Sequence, residues 1–164
     1  MRNPNRLRAM SGNDELLEGL NPQQQKAVAH ADYIIFAIPS PYLSSELAPL
    51  TESLENKIVF SAIKGIVPES SLIVGEHFNK NYGIPLENIG VLTGPCHAEE
   101  VALERLSYLT VACSDKEKAK FVAKFLSTNY INTKITDDII GTEYAAMLKN
   151  IYAIAAGIAH SLGY

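Results

Sequence analysis

The 164-residue sequence predicts an α/β fold: part of a doubly wound, mostly parallel sheet, followed by the first long helix of an α-helical domain. Three observations carry this. Short apolar, β-branched runs alternate with helix-forming stretches from residue 21 to residue 136, as βαβ units require. The first run, "YIIFAIP", is continuously apolar and stops at a proline, the pattern of a strand covered on both faces. The alternation then gives way to one long apolar helix from about Asp138 to His160, the opening of a second domain over residues 137–164.

Each element has its own signal. Residues 1–20 are polar and poorly patterned, and read as a loop-like segment. "NPQQQKAVAHAD" begins a helix, with Asn21 as cap and Pro22 at the first helical position. After the strand "YIIFAIP", "PYLSSELAPLTESL" is helical or loop-helical and "KIVFSAI" is a strand. "PESSLIVGEHFNKNYG" reads as a helix that Gly83 ends. "NIGVLTG" is the third strand, "HAEEVALER" a short helix and "SYLTVACS" the fourth strand. "DKEKAKFVAKFLST" is a helix, and "YINTKITD" a strand rich in β-branched residues. Residues 21–136 thus form a partial dinucleotide-type sheet domain. Such sheets open with a strand, a glycine-rich phosphate-binding turn and a helix, yet no G-x-G-x-x-G occurs in this sequence. Either no dinucleotide is bound, or the nucleotide-binding beginning of the fold lies outside the chain.

Composition narrows the function. A formal charge of −4 without a basic stripe argues against nucleic-acid binding. The two cysteines, Cys96 and Cys113, form no CxxC or metal-ligand spacing, which points to a reducing, cytoplasmic setting. The apolar run Ile151 to Ala159 falls well short of the ~20 residues of a membrane span.

One charge stands out in the last helix. Ile140, Tyr144, Met147, Ile151, Ile154 and Ile158 make an apolar stripe expected to be core, while Lys149 lies among Thr142, Ala145, Ala146, Ala153, Ala156 and His160. A buried ammonium must be paired, deprotonated or turned to a polar ligand, and a desolvated lysine serves as a proton donor and acceptor near neutral pH. The alternative is a stem that snorkels along the alanines to water. Asn150 adds two donors and an acceptor beside it.

Other candidates sit where strands end. Lys64 and Gly65 in "SAIKG" follow an apolar strand, at the edge where open α/β sheets hold ligands; an exposed loop lysine is the plainer alternative. Ser61-x-x-Lys64 matches a penicillin-binding-type nucleophile motif only formally, since Ser61 continues a strand and S-D-N and K-T-G are absent. In "TGPCHAEEV", Gly94-Pro95 turns the chain, Glu99 and Glu100 occupy a first helical turn, and free N–H groups face the same edge. Cys96 and His97 are adjacent, so their side chains diverge; both read as structural. Tyr42 in "IPSPYL" either presents its ring at that edge or packs as an ordinary aromatic.

"AIPSPY", "SAIKG" and "TGPCHAEEV", followed by "LKNIYAIAAGIAHSLGY", resemble the bacterial-type NAD(P)-dependent glycerol-3-phosphate dehydrogenases over roughly residues 30 to 164. The resemblance implies a partial Rossmann-like fold. It also implies reversible hydride transfer between NAD or NADP and a small-molecule phosphate substrate, glycerol 3-phosphate or its ketone, dihydroxyacetone phosphate. Such an enzyme serves glycerophospholipid biosynthesis, is cytoplasmic, and forms a homodimer at full length. By position, Lys149 is similar to the family's proton donor and acceptor, Lys64 to a lysine that contacts substrate and cofactor, and Asn150 to an asparagine beside the substrate. Ala98 matches a backbone contact with the dinucleotide and Tyr42 an aromatic near it. The family's Ser-Phe after Gly-Pro is Cys96-His97 here. Family members also have the glycine-rich turn upstream and a phosphate-gripping Arg-Asn pair downstream, so the chain reads as a fragment lacking both ends and inactive alone. A related β-hydroxyacid-type dehydrogenase and a non-catalytic binding module are the alternatives.

Overall fold

The computed structural model describes residues 21–164, so the loop-like reading of residues 1–20 lies outside the described residues. Helix α1 (Pro22–His30) starts at a reciprocal capping box. The Asn21 side chain accepts from the Gln24 N–H at 2.9 Å, and the Gln24 side chain accepts from the Asn21 N–H at 2.9 Å. Strand β1 (Tyr33–Phe36) follows, then a 3₁₀ turn (Ser40–Tyr42), helix α2 (Leu43–Leu47) and strand β2 (Ile58–Ser61).

The expected helix over residues 68–83 is half right. Strands β3 (Ile66–Val67) and β4 (Leu72–Ile73) pair antiparallel as a small hairpin, and helix α3 (Val74–Tyr82) begins only after it. Ser71 takes a positive φ of 54° in that hairpin, a conformation no helix continues through. Gly83 ends α3 in the left-handed region, φ 68°.

Strand β5 (Ile89–Thr93), helix α4 (Ala98–Ala102), strand β6 (Ser107–Cys113), helix α5 (Lys116–Leu126), strand β7 (Ile131–Thr136) and helix α6 (Ile139–Ser161) complete the chain. The main sheet runs β1-β2-β5-β6-β7. All its neighbours are parallel except β5 and β6, which pair antiparallel, Gly90 beside Cys113 and Thr93 beside Thr110.

One core cluster joins the α1–α3 side of the sheet, including Ile34, Phe36, Leu43, Val59, Phe78 and Ile89. A second lies under α5: Phe60, Leu92, Val111, Cys113, Ala119, Val122 and Ala123. Phe60 fills the room that Gly90 leaves, for a Cβ there would overlap its ring. The central strands β2 and β5 are accordingly buried on both faces. β1 is not: Ile35 is 43% exposed, because β1 is the edge of the described sheet and α5 reaches only its Tyr33 end, where the Phe121 ring lies 4.8 Å from the Tyr33 ring.

The predicted core stripe of α6 is also corrected. Ile140, Tyr144, Ile151, Ile154 and Ile158 are exposed, and the only residue of α6 classed as buried is Glu143. The apolar face has no partner among the described residues. Nor is any described helix long and apolar enough to cross a membrane.

Candidate active site

Register builds the edge where the candidates meet. Phe36 pairs with Ser61, and Ser61 with Val91, so β1, β2 and β5 finish side by side and their following loops emerge together. The Ala62 N–H donates to the Phe36 carbonyl at 2.8 Å, extending the pairing one residue past β2. Tyr42, Lys64 and Ala98 all stand on these loops. Tyr42 closes the 3₁₀ turn after β1 and is exposed. Lys64 is exposed beyond β2, and its ammonium has no hydrogen-bond or ion-pair partner among the described residues. Ala98 is the first residue of α4.

Two glycines shape these loops. Gly65 has φ 107°, and a Cβ there would stand 3.3 Å from the Oγ of buried Ser40, which draws the β2 loop against the turn that bears Tyr42. Gly94 has φ 140° and lies against the Tyr108 carbonyl. The start of α4 has no side-chain cap, so its first N–H groups remain donors at this edge, with Glu99 and Glu100 in the same turn. His97 is exposed at the cap position and Cys96 is a half-buried free thiol. Among the described residues, no group of three or more His, Cys, Asp or Glu could hold a metal ion. The Ser61 hydroxyl is buried and accepts from the Ile63 N–H at 3.1 Å, which gives it a structural task.

Helix α6 brings the second set. Because β6 reverses direction, β7 delivers the chain to the end of the sheet opposite the candidate loops, and α6 starts there, beside Ile89. It then packs on β5 and β6. Lys149, ten residues after Ile139, stands about 15 Å along the helix, a rise comparable with the about 13 Å that β5 spans. Lys149 and Asn150 are both exposed, so of the two readings of that lysine the buried ammonium is not found among the described residues. No hydrogen bond or ion pair among the described residues joins Lys149 or Asn150 to Lys64, Tyr42 or Ala98.

Two buried ionisable residues, Glu143 and His77, lie outside the set of sequence candidates. Glu143 is 6% exposed, and both its carboxylate oxygens accept from the Gly75 N–H at 3.2 Å. Burial pushes its carboxyl up to about 7, outweighing the opposing effect of the Gly75 and Val74 N–H groups. His77 is 2% exposed, with Nδ1 3.0 Å from both the Ser70 hydroxyl and the Asn81 amide nitrogen. The Asn81 amide nitrogen can only donate, so Nδ1 is the acceptor in that contact, while Nε2 is buried without a hydrogen-bond partner among the described residues. Burial lowers its pKa, against the pull of Glu69.

The chain is similar to proteins of one kind. Residues 2–119 match the model of the NAD-dependent glycerol-3-phosphate dehydrogenase N-terminus, and residues 138–164 that of the C-terminus. A glycerol-3-phosphate dehydrogenase [NAD(P)+] from Macrococcus caseolyticus is 37% identical over 85% of this chain and 43% of its own length. One from Corynebacterium urealyticum is 33% identical over 95% of this chain and 48% of its own. The solved glycerol-3-phosphate dehydrogenase of Plasmodium falciparum superposes with a TM-score of 0.73 at 25% identity, covering 84% of this chain and 39% of its own. The chain therefore spans less than half the length of these relatives.

Proposed function

The chain belongs to the NAD-dependent glycerol-3-phosphate dehydrogenase family, and we propose that it forms the catalytic middle of an enzyme that interconverts glycerol 3-phosphate and dihydroxyacetone phosphate with NAD or NADP. Support comes chiefly from one arrangement: three parallel strands end together beneath Tyr42, Lys64 and Ala98, while α6 starts at the opposite end of the sheet and its rise to Lys149 and Asn150 is comparable with the length of β5. Residues 21–136 act as part of the dinucleotide-binding domain and residues 137–164 open the helical substrate domain.

The donor set at the edge suits an anionic nucleotide. Lys64 has no described partner and the first N–H groups of α4 are uncapped. Bound there, the nicotinamide would supply or take up hydride. Lys149 delivers a proton to the ketone oxygen as the carbon is reduced, and removes it from the hydroxyl in the reverse direction. Asn150 hydrogen-bonds the substrate and holds it beside that ammonium. Lys64 offsets phosphate charge shared by substrate and cofactor. Tyr42 lies against the cofactor and the Ala98 backbone donates to it. The enzyme is cytoplasmic, works as a homodimer, and supplies glycerol phosphate for phospholipid synthesis.

The test is Lys149→Ala in the full-length gene product. Turnover of dihydroxyacetone phosphate should fall by about 10²–10⁴-fold with the fold retained by circular dichroism. Near-normal kcat would refute the proton-transfer role. Lys64→Ala should lower kcat/KM, and an unchanged value would make Lys64 an ordinary loop lysine.

A further inference from the structure

Helix α6 packs on β5, β6 and α3, and the one residue it buries fully there is polar. Residues 149–164 are exposed apart from half-buried Ala159, so Glu143 is its last fully buried point before the candidate lysine. The carboxylate straddles a single N–H, that of Gly75 in the first turn of α3, with both oxygens at 3.2 Å. The contact depends on glycine: a Cβ at Gly75 would stand 2.9 Å from Glu143 Oε2, 3.5 Å from Ile89 Cγ2 and 3.7 Å from Ile139 Cγ2. Three elements, α3, β5 and α6, converge on that one missing side chain.

An acid is a poor choice here for stability alone. No cation pairs with Glu143 among the described residues, and Glu76 opposes its charge. Lys80, Asp137 and Asp138 line the same cavity without bonding to it, and Asp138 is engaged in capping the Gly141 N–H at 2.7 Å. A leucine would fill similar volume without the carboxylate's desolvation cost, which offsets the loss of the acceptor for the Gly75 N–H. What the carboxylate adds is direction, since a hydrogen bond requires its donor and acceptor to be aligned. Seven residues is about two turns, so Asn150 lies on the same face of α6 as Glu143, and Lys149 is its neighbour.

We propose that Glu143 is the positioning residue of the active site, anchoring α6 to the first turn of α3 so that Asn150 and Lys149 face the ligand edge. The inference rests on the functional reading above. It sets stability against activity, which an ordinary structural residue does not do.

The test compares wild type, Glu143→Leu, Gly75→Ala and the double variant in the full-length gene product. At pH 8, Glu143→Leu should melt within a few degrees of the wild type, because relief of carboxylate desolvation offsets the lost acceptor for the Gly75 N–H, while kcat for dihydroxyacetone phosphate falls about tenfold or more and KM for the nicotinamide cofactor stays within about twofold. Gly75→Ala, which displaces the carboxylate but keeps it, should lower kcat similarly, and the double variant should be no worse than either. Unchanged kcat in Glu143→Leu, or a loss of stability in step with activity, would overturn the anchor even if Lys149→Ala is inactive. If wild type reduces no dihydroxyacetone phosphate, the functional reading fails, and crystal structures decide the anchor. An α6 turned about its axis in Glu143→Leu supports it, and a superposable α6 overturns it.

Discussion

Helices α5 and α6 pose opposite problems to the same sheet. Helix α5 is charged on one side, with Lys116, Lys120 and Lys124, and lays Ala119, Val122 and Ala123 into the core under a cap from Asp115. Helix α6 is far more apolar, is twice as long, and buries only a glutamate. Burial therefore does not follow apolarity. It follows whether a complementary surface exists, and α5 has one in Phe60, Leu92 and Val111. For α6 the surface that its isoleucines call for is absent from the described residues.

The contrast can be broken at its strong end first. Phe60→Ala, beneath α5, should cost about 3–5 kcal/mol in urea unfolding, because a fully buried ring leaves a cavity that Gly90 cannot fill. A cost below about 1 kcal/mol would mean that α5 is not seated as described.

Next comes the buried acid under α6. Its folded pKa, about 7, lies above the ordinary 4.5, so the stability due to the protonated carboxyl is complete below about pH 4.5 and is lost as pH rises to about 7. The loss is on the order of 3 kcal/mol, and Glu143→Gln should remove that slope from the unfolding free energy. An identical slope in the variant would show that the carboxyl titrates normally. His77 works in the other direction. Its pKa is depressed by burial, so the stability of its neutral form holds above about pH 6.5 and is lost at lower pH. His77→Gln should flatten that acid limb.

The smallest effect is the most telling about α6. Ile154 is 65% exposed, so Ile154→Ala in the 164-residue chain should change stability by no more than about 0.5 kcal/mol. In the full-length gene product the same change should cost about 2–5 kcal/mol if the stripe meets a partner surface there. Equal, small costs in both would leave the stripe a solvent-facing feature.

Much of this organisation was legible in the residues. The strand–helix alternation, the Asn21 cap, Gly83 as a stop and the edge position of Lys64 all follow from local chemistry, and all are observed. The hairpin before α3 escaped because each of its strands has two residues, too few to show a period of two. Ile35 was misplaced because a run of apolar residues cannot say whether a sheet continues beyond it. Glu143 escaped for a different reason. Counting apolar positions along a helix discards the one charged residue on the packed face, although a lone acid between Thr142 and Tyr144 in an apolar helix was the available signal.

The reversal between β5 and β6 has a further consequence. By sending β7 to the far end of the sheet, it obliges α6 to travel back across it, so on the reading proposed above the helix would work as a measuring rod whose zero mark is Glu143 and whose reading is taken at Lys149. Rods of this kind tolerate substitution but not changes of length. One residue inserted between those positions would advance the lysine by about 1.5 Å and swing it through about 100°, aiming the same side chain at a different target without altering any residue at the site.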